Sequence, residues 1–211
     1  MKILFQGDSI TDVGRNTDRG STISMGQGYP LLVDARLSVK YPQQFQFLNF
    51  GISGNRVVDI YSRIKADFWN HQPDVFSLLI GVNDVWHEVG HHNGVDARRF
   101  ENVYRMLIDD TLRELPNLKI IAMEPFVLPG TATTGLEDYF RTEVSARAEA
   151  VRRVAGEYQL IFLPLQKLLD DACALAPASY WLSDGVHPTP AGHQLIADAW
   201  IDTFEKHILG H

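Results

Sequence analysis

One cysteine, Cys173, stands among the 211 residues, so no disulfide can form within the chain. A single thiol is compatible with a reducing compartment. Long apolar runs are missing as well. The first eight residues, Met1 to Asp8, hold only three consecutive apolar side chains. A secretory leader needs about 7–15, and a membrane-spanning helix about 20. The expectation is a cytoplasmic protein that does not engage a membrane. Basic charge is also short: 19 Lys and Arg against 26 Asp and Glu give a net charge of -7, with no basic stripe. Nucleic acid, which binds clustered cations, is not an expected partner. Repeats, low-complexity tracts and linkers are absent, so a single domain over residues 1–211 is expected. Hydrophobic residues make up 45% of the chain. A fold of this length buries roughly 70% of its extended surface, enough for a core without staples.

What is there is an alternation. Short apolar runs at 3–5, 45–50, 75–80, 120–123 and 160–163 are separated by longer segments of helical period, the pattern of βαβ units on a parallel sheet. Helices are expected over 29–41, 57–68, 100–115, 136–151 and 165–175. In the second of these, Val57, Ile60, Ile64 and Phe68 recur at helical spacing. A last helix starts at Pro190, with Thr189 as its N-cap. Polar loops are expected over 11–28, holding Arg15, Asn16, Asp18 and Arg19, and over 83–96, holding His87, His91 and His92. The fold class that follows is α/β: a three-layer α/β/α sandwich around a flavodoxin-like parallel sheet of about five strands.

In such sheets ligands bind beyond the carboxyl ends of the strands. Ser9 sits there after the first run, as does Asn83 after the third, and Gly54 at the junction following the second. Far downstream, Asp184 and His187 stand three residues apart in a loop marked by Gly185 and Pro188. That spacing lets a carboxylate reach Nδ1 of the imidazole, fixing its tautomer while Nε2 points elsewhere. Taken alone, Asp-x-x-His serves equally as a structural ion pair, and a serine in a turn as a cap. Together they supply a nucleophile, Ser9, a general base, His187, and an orienting acid, Asp184.

Gly7-Asp8-Ser9-Ile10, Phe50-Gly51-Ile52-Ser53-Gly54-Asn55, Gly81-Val82-Asn83-Asp84 and Asp184-Gly185-Val186-His187-Pro188 resemble, in order, blocks I, II, III and V of the SGNH (GDSL) hydrolase and esterase family. The one visible departure is Ile10, where the family name has Leu. The resemblance implies the SGNH hydrolase fold and a catalytic triad at Ser9, Asp184 and His187. It also implies an oxyanion hole from the backbone N–H of Ser9, the backbone N–H of Gly54 and the side-chain amide of Asn83. Glycine lets a backbone approach a ligand closely, and an Asn amide donates without a charge to desolvate. Asp8, Asp12, Asn55 and Asp84 are read first as side chains that bond nearby backbone. Asn55 is also placed beside the substrate, where it would support Gly54.

The chemistry uses side chains, backbone and water, so no cofactor and no metal is expected. His91 and His92 lack a carboxylate or cysteine at ligand spacing and read as solvated loop histidines. Trp86, Trp181, Tyr180 and Phe126 fall in loops near the expected site, and Trp86 and Trp181 are the candidate substrate-binding aromatics. No long insertion could serve as an apolar lid. The expected partner is therefore a small-molecule ester. The Gly-Ile-Ser-Gly-Asn and Gly-Val-Asn-Asp-Val-Trp blocks are most similar to the carbohydrate acetylesterase branch, which implies acetylated xylo-oligosaccharides and a homo-oligomer. The competing readings are a lysophospholipase or acyl-thioesterase of the same family, and a non-catalytic carbohydrate-binding relative.

Overall fold

The computed structural model describes residues 1–18, 21 and 23–210. Arg19, expected in the loop after the first strand, lies outside the described residues.

Side chains alternate across strand β1 (Lys2–Gly7), and that alternation builds two cores. Ile3 and Phe5 face one side of the sheet and Leu4 the other. β1 pairs in parallel with β2 (Gln46–Asn49) and with β3 (Val75–Leu79). β3 pairs with β4 (Lys119–Met123), and β4 with β5 (Ile161–Leu163). The order is β2-β1-β3-β4-β5, all parallel, as the alternation of runs implies. All five residues of β3 are buried, consistent with a strand covered on both faces.

One face carries α2 (Tyr29–Lys40), α8 (Gln166–Ala172) and α10 (Pro190–Phe204), numbered in chain order. Val33, Leu37, Leu169, Ile196, Trp200 and Phe204 pack there against Ile3, Phe5, Val75 and Met123. The Trp200 indole donates to Ser77 Oγ at 2.9 Å, so its one polar atom is satisfied inside the core. The other face carries α3 (Val57–Ser62), α4 (Ile64–Asp67), α6 (Ala97–Glu114) and α7 (Glu137–Glu157). Val57, Ile60, Phe100, Tyr104, Leu107 and Val151 close over Leu4, Phe76 and Leu78. The first half of α7 crosses the strand ends and places Phe140 and Val144 in the opposite core. A short α9 (Ala178–Trp181) precedes α10, whose N-cap is Thr189 as expected: its Oγ1 accepts from Gly192 N at 3.2 Å.

Three expectations are corrected. The helix expected over 57–68 breaks at Arg63, whose backbone leaves helical geometry (φ -116°, ψ 9°). Its guanidinium turns inward to Phe50 O, Gln6 Oε1, Asn55 Oδ1 and Asp67. The loop expected from residue 11 begins inside a helical turn, α1 (Ser9–Asp12). The polar loop expected over 83–96 is helical for most of its length, as α5 (Val82–His91). Val82 and Val85 anchor α5 in the core, and Asp84 is buried in its first turn. Its many polar side chains are those of a helix with one wet face. No helix among the described residues is long and apolar enough to cross a membrane.

Candidate active site

Ser9 is the first residue of α1, directly after β1. Asp8 caps that turn by accepting from Ile10 N at 3.0 Å. Ser9 Oγ lies 2.9 Å from Nε2 of His187, and Nδ1 of the same ring lies 2.7 Å from Asp184 Oδ2. The other Asp184 oxygen accepts from Val186 N at 2.9 Å and His187 N at 2.8 Å. Burial pushes the Asp184 carboxyl up, but the His187 and Val186 N–H donors and the His187 ring outweigh it, so the group stays below its ordinary range and ionised.

The segment carrying Asp184 and His187 is held at both ends. Ser183 N donates to His187 O at 2.8 Å, Leu182 and Pro188 form an antiparallel bridge, and Leu128 N donates to Gly185 O at 2.9 Å. Gly185 has φ +96°, and a Cβ there would meet Leu128 O at 2.5 Å. Only glycine allows so close an approach of two backbones.

Gly54 and Asn83 arrive from the ends of β2 and β3. Gly54 has φ +81°, and a Cβ at that position would meet nothing nearer than His87 Nε2 at 4.0 Å. Backbone conformation, not crowding, is what selects glycine here. Asn83 Nδ2 donates one hydrogen to Asn55 O at 3.2 Å, leaving its second hydrogen for a ligand. Ser9, Ser53, Gly54, Asn83, Trp86, His87, Gly90, His91 and His187 line one pocket of about 350 Å³. A larger cleft of about 480 Å³ runs along β2 and holds none of Ser9, Asn83, Asp184 or His187.

The surrounding polar residues fix these loops to one another. Asp12 Oδ2 accepts from Ser53 N at 2.9 Å and Ser53 Oγ at 2.8 Å, tying α1 to the segment that carries Gly54. Asp84 accepts from Val57 N, joining α5 to α3. Burial raises its pKa well above the ordinary value despite that N–H and the charge of Arg147, and Asp8 adds to the rise. Burial likewise pushes Asp8 up to about 7, against the Ile10 N–H and the His187 charge. Its Oδ2 has no hydrogen-bond partner among the described residues.

Of the aromatic candidates, Trp86 stands beside His187, with ring centroids 5.8 Å apart. Trp181 does not line the pocket: its indole donates to Ala176 O at 3.2 Å and its ring packs against the core and Tyr180. Phe126 is buried in the core. The Asn55 side chain accepts from Arg63 at 2.7 and 3.0 Å, so it steadies the Gly54 turn through its own backbone and amide instead of facing a ligand.

Sequence reasoning passed over Arg63, Arg147 and His193. Arg147 is buried, donating to Val95 O and pairing with Glu143. His193 accepts from Tyr29 N at 3.2 Å, and burial, with some help from the His187 charge, pushes it down to about 4. Arg147 and His193 lie on α7 and α10, and Arg63 at the break between α3 and α4. The signal available was that Arg147 and His193 fall on the apolar stripes of α7 and α10.

Residues 5–195 match the GDSL-like lipase/acylhydrolase family. The chain belongs to that family. This GDSL hydrolase is 35% identical to an acetylxylan esterase of Geobacillus stearothermophilus over 95% of its own length and 92% of the relative's. A crystal structure of that organism's acetylxylan esterase Axe2 superposes with a TM-score of 0.84 at 31% identity, covering 96% of this chain and 93% of the other. A GDSL-type lipase structure from Parabacteroides merdae gives 0.90 at 39% identity, with 96% and 94% covered. The GDSL hydrolase described here is thus a carboxylic ester hydrolase with the fold the sequence implied.

Proposed function

We propose that this GDSL hydrolase removes acetyl groups from carbohydrates, xylo-oligosaccharides foremost, through an acyl-enzyme on Ser9. The observation that carries the reading is the alignment of Ser9 Oγ, His187 and Asp184 at 2.9 and 2.7 Å beside a pocket of about 350 Å³. The similarity to an acetylxylan esterase supports the acetyl-sugar assignment.

Neutral His187 accepts the Ser9 proton at Nε2 as Oγ attacks the acetyl carbonyl carbon. Asp184 stabilises the imidazolium that forms. The carbonyl π electrons move to oxygen, and that oxyanion meets the N–H groups of Ser9 and Gly54 and the free hydrogen of Asn83 Nδ2. Collapse of the adduct breaks the ester C–O bond, and the leaving sugar hydroxyl takes its proton from His187. Water, deprotonated by the same imidazole, then attacks the acetyl-Ser9 carbonyl. Acetate leaves, and Oγ recovers its proton. The Trp86 indole beside His187 is suited to stack on the apolar face of a sugar.

The test is an acyl-chain profile with nitrophenyl acetate, butyrate, octanoate and palmitate, alongside acetylated xylobiose. Turnover confined to acetate and the acetylated sugar is the expected result. A maximum at octanoate or longer transfers the protein to the lysophospholipase and thioesterase reading. No turnover of any ester favours a carbohydrate-binding relative.

A further inference from the structure

The helical course of residues 82–91 changes what the histidines there can do. In an extended loop, His87 and His91 would stand apart. On α5 they are one turn apart and share a face. Their ring centroids are 6.0 Å apart with planes at 81°, and both side chains line the pocket that holds Ser9 and His187. His92, adjacent in sequence, leaves the helix at φ 50° and is absent from that lining.

Two imidazoles one helical turn apart are a recurrent chelate for transition-metal ions. With N–metal bonds of about 2.0–2.1 Å and ligand angles of roughly 90–110°, rings that share an ion have centroids about 4.5–5.3 Å apart. The observed 6.0 Å has to close by about 1 Å, within reach of side-chain rotation. His91 is exposed. The charged neighbours of His87 are Arg56 and Asp59. Arg56 is engaged by Asp59 at 2.9 Å, so its charge is largely compensated. Among the described residues, no three His, Cys, Asp or Glu side chains converge to hold a metal. An ion on this pair would therefore complete its coordination with water, exchange readily, and contribute nothing to the fold.

We infer that His87 and His91 form a two-imidazole site for a divalent transition-metal ion, Cu²⁺ or Zn²⁺, which closes the mouth of the catalytic pocket and inhibits the enzyme reversibly. The binding half stands on the geometry of α5 alone. The inhibition half rests on the esterase reading given above. Imidazole ligands favour Cu²⁺ over Zn²⁺, so copper should act at the lower concentration.

Two readouts test it on the full chain. Isothermal titration with CuCl₂ or ZnCl₂ measures binding without any turnover, and quenching of tryptophan fluorescence by Cu²⁺ reports an ion near Trp86. Initial rates on nitrophenyl acetate, with and without excess EDTA, measure inhibition, each variant being compared with its own metal-free rate. The expected result is one ion bound, inhibition relieved by EDTA, and both effects weakened at least on the order of 10–100-fold in His91→Ala and in His87→Ala. His92→Ala should behave as wild type. Metal binding and inhibition that persist unchanged in both pocket variants would place the ion on His187 or elsewhere and overturn the site. Absence of binding in the titration would overturn it too. Pair-dependent binding without loss of rate would overturn the occlusion. If no ester is hydrolysed at all, the titration still decides the site, so the two readings fail separately.

Discussion

At the scale of the residue, Ser9 Oγ is a single atom whose partner lies 178 positions away. It has no packing duty that the Cβ of alanine would not fulfil. Ser9→Ala should therefore lower kcat on nitrophenyl acetate by about 10⁶, as removal of a triad nucleophile does elsewhere. Its denaturation midpoint should stay close to wild type, since a small side chain at a pocket surface changes stability by only about 0.5 kcal/mol. Ester turnover that survives the substitution would remove Ser9 from the proposed role. The candidates Ser9, Gly54 and Asn83 were legible as the residue types their duties demand after a strand, and Asp184 and His187 by their three-residue spacing before α10. Trp181 was not: an indole fits a sugar face and a packed interior equally well, and only the Ala176 carbonyl it binds decides between them.

At the scale of the element, the pocket is a set of junctions whose angles are fixed by a few backbone conformations. Gly54 has φ +81° with open space beyond it. Gly54→Ala thus tests conformation without a clash. An L-residue in the left-handed region costs about 1–2 kcal/mol, and relaxing that strain swings the N–H away from the expected oxyanion. The variant should lose about 10²–10³ in kcat with a far smaller loss in substrate affinity. Unchanged kcat would mean that this N–H does not face the reacting oxygen. The five strands were readable because short apolar runs closed by glycine (Gly7, Gly51, Gly81) or proline (Pro125, Pro164) have few other uses. The segment after Asn83 was read as a loop because Asp84, His87, Glu88, His91 and His92 outnumber its apolar residues. Burial of Asp84 against Val57 N turns a polar residue into an internal tie, which composition alone does not reveal.

At the scale of the whole molecule, two buried titratable groups behind the pocket set opposing pH dependences. Asp8 is raised from an ordinary 3.8 to about 7, so the folded chain holds more protons than the unfolded one across that window. Its contribution to stability therefore falls as pH rises from about 4 to 7. His193 is lowered from 6.5 to about 4, so there the unfolded chain holds more protons. Its contribution rises over nearly the same interval. Asp84, also raised by burial, contributes the same background to wild type and both variants. Relative to wild type, denaturant unfolding between pH 4 and 7 should give a stability slope shifted upward with pH in Asp8→Asn and downward in His193→Asn. Each amide keeps an acceptor, for Ile10 N and Tyr29 N respectively. Shifts from the wild-type slope in the same direction in both variants would refute the assignment.

The same architecture has a consequence for synthesis. In the proposed mechanism the nucleophile follows the first strand, while its base lies just before α10, which seals Trp200 against Phe5 and Ser77. A chain leaving the ribosome at about 5–20 residues per second exposes Ser9 early, yet on that mechanism the serine has no proton acceptor until the segment before α10 has docked. The nascent protein then stays chemically silent toward the esters around it until Asp184 and His187 are in place.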